Sequence, residues 1–274
     1  MKKAASILSL LLSACIVAAA QGARRALSAD AGSSGHASAA KVHAGRPPKA
    51  SALKGDTAAR DDEVERLLVK HILAQGGVKL FTIRSRVMRG RVEMSLSNLP
   101  GTFESYEKAP DKAMSVLNAP SGQFIQAYDG GKRWLQSPWG GMVTSERGAL
   151  EVVKQSFDKG GFKWRNIFSS ASIRGRAVVD GHETVVLAAT PVGRGPLLMY
   201  FDADTYLLRK QEFVRSGPPR ENELRAVYID SYAEVDGVKV PVVFRQVYPD
   251  FTLTFRIFEV KHNVPIEDAL FQNP

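Results

Sequence analysis

The sequence predicts a mainly-β chain of the α+β type, with about ten or eleven antiparallel strands and two helical elements. Three observations carry this. From Val78 onward apolar residues recur at every second position, the period of a half-buried strand. Short turn signals separate the alternating runs, among them Asp129-Gly130, Asp180-Gly181 and Asp236-Gly237. Connections this short join antiparallel neighbours, because a parallel pair needs a long crossover.

The elements follow in order. Asp61, Asp62 and Glu63 suit a helix N-terminus. Val64, Leu67, Leu68, His71 and Ile72 then keep helical spacing, and Gly76-Gly77 ends the run. Val92, Met94 and Leu96 alternate with polar residues, Asn98-Leu99-Pro100-Gly101 reads as a turn, and Thr102–Lys108 reads as the return strand. Ala109–Lys112 turns again before Met114, Val116, Phe124 and Tyr128. Asp129-Gly130-Gly131 marks a hairpin into Lys132–Gln136. Ser145 and Glu146 read as the start of a second helix, with Leu150, Val153 and Phe157 on one face and Gly160-Gly161 at its end. A short helical stretch over Phe162–Phe168 follows. Strands then resume to Val260, with Ile173–Val179, Glu183–Thr190, Leu197–Asp202, Tyr206–Arg215, Glu223–Glu234, Lys239–Tyr248 and Phe251–Val260.

Not all of the 274 residues belong to this core. Residues 1–20 read as a secretory signal: Lys2 and Lys3, an apolar run from Ala4 to Val17, and Ala18-Ala19-Ala20 as a cleavage site. Leu12-Ser13-Ala14-Cys15 supports a competing reading, a lipoprotein signal that leaves Cys15 lipidated. Either way the chain is expected to be exported, to the periplasm or to a membrane anchor through Cys15. Residues 21–60 are rich in Ala, Ser and Gly and lack aromatics, so they read as a disordered basic linker. Residues 61–274 form the expected single domain. Cys15 is the only cysteine, so that domain has no disulfide. About 210 residues are enough for an ordinary hydrophobic core.

The formal charge of +9 sits mostly outside the domain. Lys2 and Lys3 carry two of these charges and residues 21–60 carry a net five, which leaves +2 for the rest. No nucleic-acid groove is expected from so mild a balance.

Motifs with chemistry are few. The Asp202-Ala203-Asp204-Thr205 stretch has the Asp-x-Asp spacing of haloacid-dehalogenase phosphatases. Thr205 falls one place early, however, and the residues that follow offer strands rather than crossover helices. A turn between two strands is the better reading. The five histidines form no close pair, and nucleophile-elbow, phosphate-loop and zinc-protease motifs are absent from the sequence. The expectation is a protein that is not an enzyme, with no catalytic residue, metal or cofactor.

The informative feature is apolar. Met88, Val92, Met94, Leu96, Phe103, Met114, Val116 and Phe124 fall on alternating positions of successive strands, and are read as one shared face. Phe201, Phe213, Val240, Val242, Phe244, Phe255 and Ile257 do the same further on. Such a face is covered by side chains as a filled core, or it lines a cavity. Three methionines, Met88, Met94 and Met114, would suit an adaptable lining.

The phrases "HILAQGGVKLFTIRSRVMRGRVEM", "YEKAPDKAMSVL", "AYDGGKRWLQSPWGG", "MYFDADTYLLRKQ", "SYAEVDGVKVP" and "EVKHNVPIEDALFQNP" follow one another in this order. This order resembles the outer-membrane lipoprotein-sorting (LolA/LolB-like) superfamily, over about residues 70–274, and looks closest to its divergent exported members. The resemblance implies a strongly curved antiparallel sheet, an unclosed β-barrel with helical lid elements. It implies an apolar cavity that takes a lipid or a lipoprotein acyl chain in a monomeric carrier at the envelope membrane. Leu150, Val153 and Phe157 would then lie on the lid. A protein-binding sensor or scaffold, with an envelope membrane protein as partner, is the alternative. No functional residue of the family's carriers can be matched to a position here.

Overall fold

The computed structural model describes residues 54–138, 140–146, 164–191, 195–214 and 224–272. Cys15, the signal, most of the linker and the lid candidates Leu150, Val153 and Phe157 lie outside the described residues.

Helix α1 runs Lys54–Gln75, so it starts before the Asp61 expected from the acidic run. Val64, Leu67, Leu68, His71 and Gln75 form its buried stripe. Gly76 ends the helix with a φ of 132°, and a Cβ there would sit 2.7 Å from the Gly237 carbonyl oxygen. Glycine is required at this close approach. A 3₁₀ turn, Gly77–Thr82, occupies the place where strand alternation was expected to begin.

Thirteen strands follow among the described residues. They are β1 (Ser85–Met94), β2 (Ser97–Lys108), β3 (Lys112–Ala119), β4 (Gly122–Asp129), β5 (Lys132–Ser137), β6 (Gly140–Glu146) and β7 (Phe168–Val179). The rest are β8 (His182–Pro191), β9 (Leu197–Asp202), β10 (Leu208–Phe213), β11 (Ala226–Val235), β12 (Val238–Val247) and β13 (Thr252–His262). All join one antiparallel sheet in the order β6-β5-β4-β3-β2-β1-β13-β12-β11-β10-β9-β8-β7. Two meanders are thus zipped together by β1 and β13. The sheet is strongly curved and unclosed, and its two edges, β6 and β7, are consecutive in the chain.

Two expectations need correction here. The first turn is Ser95-Leu96, not Asn98–Gly101, because Met94 already pairs with Ser97. Pro100 has no N–H to give, and the register slips between Val92 and Met94 opposite it. The Asn-Leu-Pro-Gly run therefore marks a ladder irregularity. Ser145 and Glu146 do not open a helix. They belong to β6, where they pair with Arg133 and Lys132.

The turn signals hold where they are local. Asp129 Oδ1 accepts from the backbone N–H groups of Gly131 and Lys132, at 2.9 and 2.7 Å. Asp180-Gly181 and Asp236-Gly237 both take positive φ at each residue, the geometry of a two-residue hairpin.

Both faces of the sheet are buried in part. The face we term inner carries the main core, with α1 and the segment Trp164–Phe168 packed on it. The outer face of β1–β5 carries a smaller core of Val87, Met114, Val116, Ala127 and Trp134. A strap from Val264 to Phe271 covers it. Trp134 Nε1 donates to the Phe271 carbonyl at 2.9 Å. Lys108 donates to the Ile266 carbonyl at 2.6 Å, and Lys108 and Lys112 flank Asp268 at 2.6 and 2.8 Å. The two lysines hold the Asp268 carboxyl down to about 2.

Candidate functional site: the inner face of the sheet

Strand register turns single residues into rows that cross the sheet. One row runs Phe124, Leu117, Phe103, Gly90 over β4, β3, β2 and β1. The next row on the same face is Gln126, Ser115, Ser105, Met88. Beyond it come Tyr128, Ala113, Glu107 and Arg86. Within two strand steps the face passes from aromatic to hydroxyl and amide, then to charge.

The longest row spans the other half: Leu187, Met199, Gln211, Val227, Gln246, Leu253 and Met94. It is apolar except for two glutamines, both buried. Gln246 Oε1 accepts from the Tyr248 hydroxyl at 3.2 Å. Beside this row Phe255 stacks on Phe244, at 4.7 Å and 8°, and meets Phe103 edge-on at 5.0 Å. Such aromatic pairs fill volume and fix geometry together.

The charged end is self-contained. Arg86 Nε donates to His262 Nε2 at 3.2 Å, and Arg86 lies 3.7 Å from Glu107. His262 Nε2 is therefore an acceptor, so its Nδ1–H faces Asp236, 3.0 Å away. Burial pushes the His262 imidazole down, and Arg86 beside it acts in the same direction.

Helix α1 closes over this face. His71 Nδ1 lies 2.8 Å from the Tyr206 carbonyl, which can only accept, so Nδ1 carries the proton and Nε2 is left as an acceptor. The ring packs edge-on against Phe201 at 4.9 Å. Burial pushes the imidazole down to about 4, against the opposing effect of the Tyr206 carbonyl. Lys70 reaches the Tyr206 hydroxyl at 2.9 Å.

Tyr206 ends the Asp202-Ala203-Asp204-Thr205 stretch, with a φ of 58°. Asp202 Oδ1 accepts from the N–H groups of Asp204 and Thr205 at 3.2 and 2.9 Å, and Arg209 Nε donates to Oδ2 at 3.0 Å. Both carboxylate oxygens are engaged in holding the turn that docks α1. Burial acts to raise the Asp202 carboxyl, but the bonds from Thr205, Arg209 and Asp204 outweigh it and hold the group below its usual value.

The eight lining candidates divide. Val92, Phe103 and Phe124 are buried together in the inner core, and half-buried Met94 packs against it. Met88 is also on the inner side, but beneath the 3₁₀ turn, with Leu80, Ile83, Val238 and Val240. Leu96 is exposed at the β1–β2 turn, 47% accessible. Met114 and Val116 face outward under the strap. The three methionines therefore sit in three separate packing environments and share no lining. Period-2 alternation relates residues within a strand, whereas cross-strand register decides which sets coincide. Of the second set, Phe201, Phe244 and Phe255 lie in the inner core and Phe213 and Ile257 pack against it. Val240 joins Met88.

The polar members of the inner rows were missed in the sequence. Their signal was present: Phe103, Ser105 and Glu107 continue one alternation. Among the described residues no group of three or more His, Cys, Asp or Glu side chains is gathered as a metal site. No helix among them is long and apolar enough to cross a membrane.

No protein-family model matches the chain, and no curated protein matches it. Solved structures do. A DUF1329 family protein from Desulfovibrio piger superposes with a TM-score of 0.53 at 14% identity, over 78% of this chain and 97% of that one. A LolA superfamily protein from Nitrosomonas europaea superposes with a TM-score of 0.52 at 12% identity, over 76% of this chain and 97% of that one. The chain has a LolA-type fold. Identity this low fixes the architecture alone. The LolA-type sheet here carries one covered face of each kind, a strapped outer core and an inner face under a helix.

Proposed function

We propose that the protein is an exported, envelope-associated binding or carrier protein, which holds a lipid or a lipoprotein acyl chain against the inner face of its LolA-type sheet and catalyses no reaction. One observation carries the reading: the inner face carries one large apolar cluster drawn from β1–β4 and β7–β13, on a sheet that does not close. Burial of an acyl chain there would contribute about 0.8 kcal/mol per CH₂, on the order of 10 kcal/mol for a long chain. The edges β6 and β7, unpaired with each other among the described residues, would give such a chain a way in and out, with release through a weaker-binding open form.

The test is native mass spectrometry of the mature protein from its envelope, purified without detergent, followed by solvent extraction. One acyl lipid per chain is expected. A protein that arrives empty and takes up no fluorescent lipid overturns the reading. The edges β6 and β7, unpaired with each other among the described residues, would then favour a scaffold that pairs with a partner's strand.

A further inference from the structure

The end of α1 and the 3₁₀ turn after it carry charge of one sign. From Arg66 to Arg84 the chain holds four cations, Arg66, Lys70, Lys79 and Arg84, and no Asp or Glu. The same stretch exposes apolar side chains. Val78 is 79% accessible and Leu73 64%, and Val69, one helical turn before Leu73, is also exposed. These residues are neighbours in space. A Cβ on Gly77 would meet Leu73 Cδ2 at 3.5 Å, so the Leu73 side chain lies over Gly77, beside Val78. Val69, Leu73 and Val78 thus make one patch, with the exposed Arg66, Lys70 and Lys79 along it.

The patch is held outward by what lies beneath it. Gly77, Leu80 and Ile83 recur every third residue and are buried, and Leu80 and Ile83 pack with Met88, Val238 and Val240. Val78, one place on from Gly77, is thereby turned to the outside. The end of α1 is fixed as well. His71 Nδ1 and Lys70 Nζ bond the Tyr206 carbonyl and hydroxyl, at 2.8 and 2.9 Å, and Gly76 sits against Gly237. A rigidly presented apolar patch is a surface that a partner covers.

Charge indicates the partner. The acids of α1 stop at Glu65, and the exposed apolar residues lie on the basic side of that boundary. The last turn of the helix holds no cation, so pairing with the helix dipole does not account for the bias. Glu234 is the acid that acts on Lys79, and Lys239 already engages it at 3.0 Å. Apolar side chains rimmed by Lys and Arg suit an anionic bilayer, where the former enter the headgroup layer and the latter meet phosphates. The chain also reaches α1 from residues 21–60, whose net charge of five positive favours the same surface.

We propose that the end of α1 and the 3₁₀ turn dock on the surface of an anionic phospholipid bilayer, with Val69, Leu73 and Val78 in the headgroup layer and Arg66, Lys70 and Lys79 on the phosphates. This docking goes beyond the carrier reading and does not require an acyl chain on the inner face.

The experiment mixes the full mature chain from Gln21, carrying no lipid, with vesicles of equal parts phosphatidylcholine and phosphatidylglycerol, or of phosphatidylcholine alone. Co-sedimentation is expected with the anionic vesicles only, and it should weaken as salt rises. Leu73→Asp combined with Val78→Asp is expected to weaken binding about ten-fold, because two apolar anchors become anions at exposed positions. Lys79→Ala is expected to weaken it about five-fold. The chain from Gln21 lacks Cys15 and has no other cysteine, so one dye can be placed at will. A polarity-sensitive dye on Val78→Cys should shift to the blue on anionic vesicles. The same dye on Leu96→Cys, at the far end of β1, should not. The dye measurement decides the matter even if the double variant folds poorly. Wild-type binding by a folded double variant overturns the proposal and assigns binding to the basic linker. Equal dye shifts at the two positions overturn it too. A dye on residue 78 that is already blue-shifted without vesicles, in a protein that sediments as a dimer, gives the patch to a second copy instead. Acyl-probe uptake is read separately, so failure of docking and failure of the carrier reading are told apart.

Discussion

The two buried faces of the sheet are covered in opposite ways. On the outer face, the strap Val264–Phe271 brings its own apolar side chains and completes the polar contacts around it. Trp134 has the Phe271 carbonyl, and Lys108 and Lys112 have Asp268. On the inner face, α1 brings Val64, Leu67 and Leu68 but also His71 and Gln75, whose acceptors have no donor among the described residues. A cover that satisfies its polar groups is a structural core. A cover that leaves them open calls for a further donor, from water or from a bound molecule.

Five outcomes would break or sharpen this contrast, the largest first. Phe271→Ala should cost about 3–5 kcal/mol, because a fully buried ring leaves a cavity beneath the strap. Calorimetry reads the loss, and probe uptake by the remaining folded protein should be unchanged.

The second outcome concerns pH. The His71 imidazole takes its proton near 6.5 when unfolded and near 4 when folded. The unfolded chain therefore binds the extra proton between these values, and stability falls as pH drops from 6.5 to about 4. The fall should be about 3 kcal/mol. His71→Phe should flatten the denaturation midpoint across that window, and an unchanged slope would assign the effect elsewhere.

Third, Met94→Arg should abolish acyl uptake while the protein stays folded. Met94 is only half-buried at the end of the long row, so the guanidinium can reach water. Uptake at the wild-type level by a folded Met94→Arg protein would take residue 94 off the binding face. Fourth, Gln211→Leu should leave the stability of the empty protein unchanged or raise it by up to about 1 kcal/mol, since it removes an unpaired acceptor. A clear loss in urea denaturation would mean that this amide is already answered by water. The smallest effect belongs to Asp268, which is exposed. Its carboxyl titrates at 3.8 when unfolded and near 2 under the lysines, so its contribution is lost as pH falls between those values. Asp268→Asn should remove that acid-limb loss and do little at neutral pH.

Much of this contrast was half legible in the sequence. The helix before Gly76-Gly77 and the Asp-Gly hairpins were readable because each depends on neighbours within a few residues. Asp202 illustrates the same point. Its motif resembled a nucleophile, yet the local turn chemistry, visible in the spacing of Asp204 and Thr205, explains both oxygens. Met114 illustrates the limit. Its alternation with Val116 was correct, but its register partner is Tyr106, which pairs with Val87 and not with Met88. One step of parity moved it from the inner face to the outer one.

The sequence by itself determined a β-rich antiparallel chain with a leading helix, because period, turn residues and helix ends are short-range properties. Only the tertiary structure decided which residues face inward together, that the strap covers Met114, and that four acceptors on α1, β4 and β10 have no donor among the described residues. Those facts depend on register and on what packs across the sheet, and contacts between residues far apart in the chain leave no local trace in it.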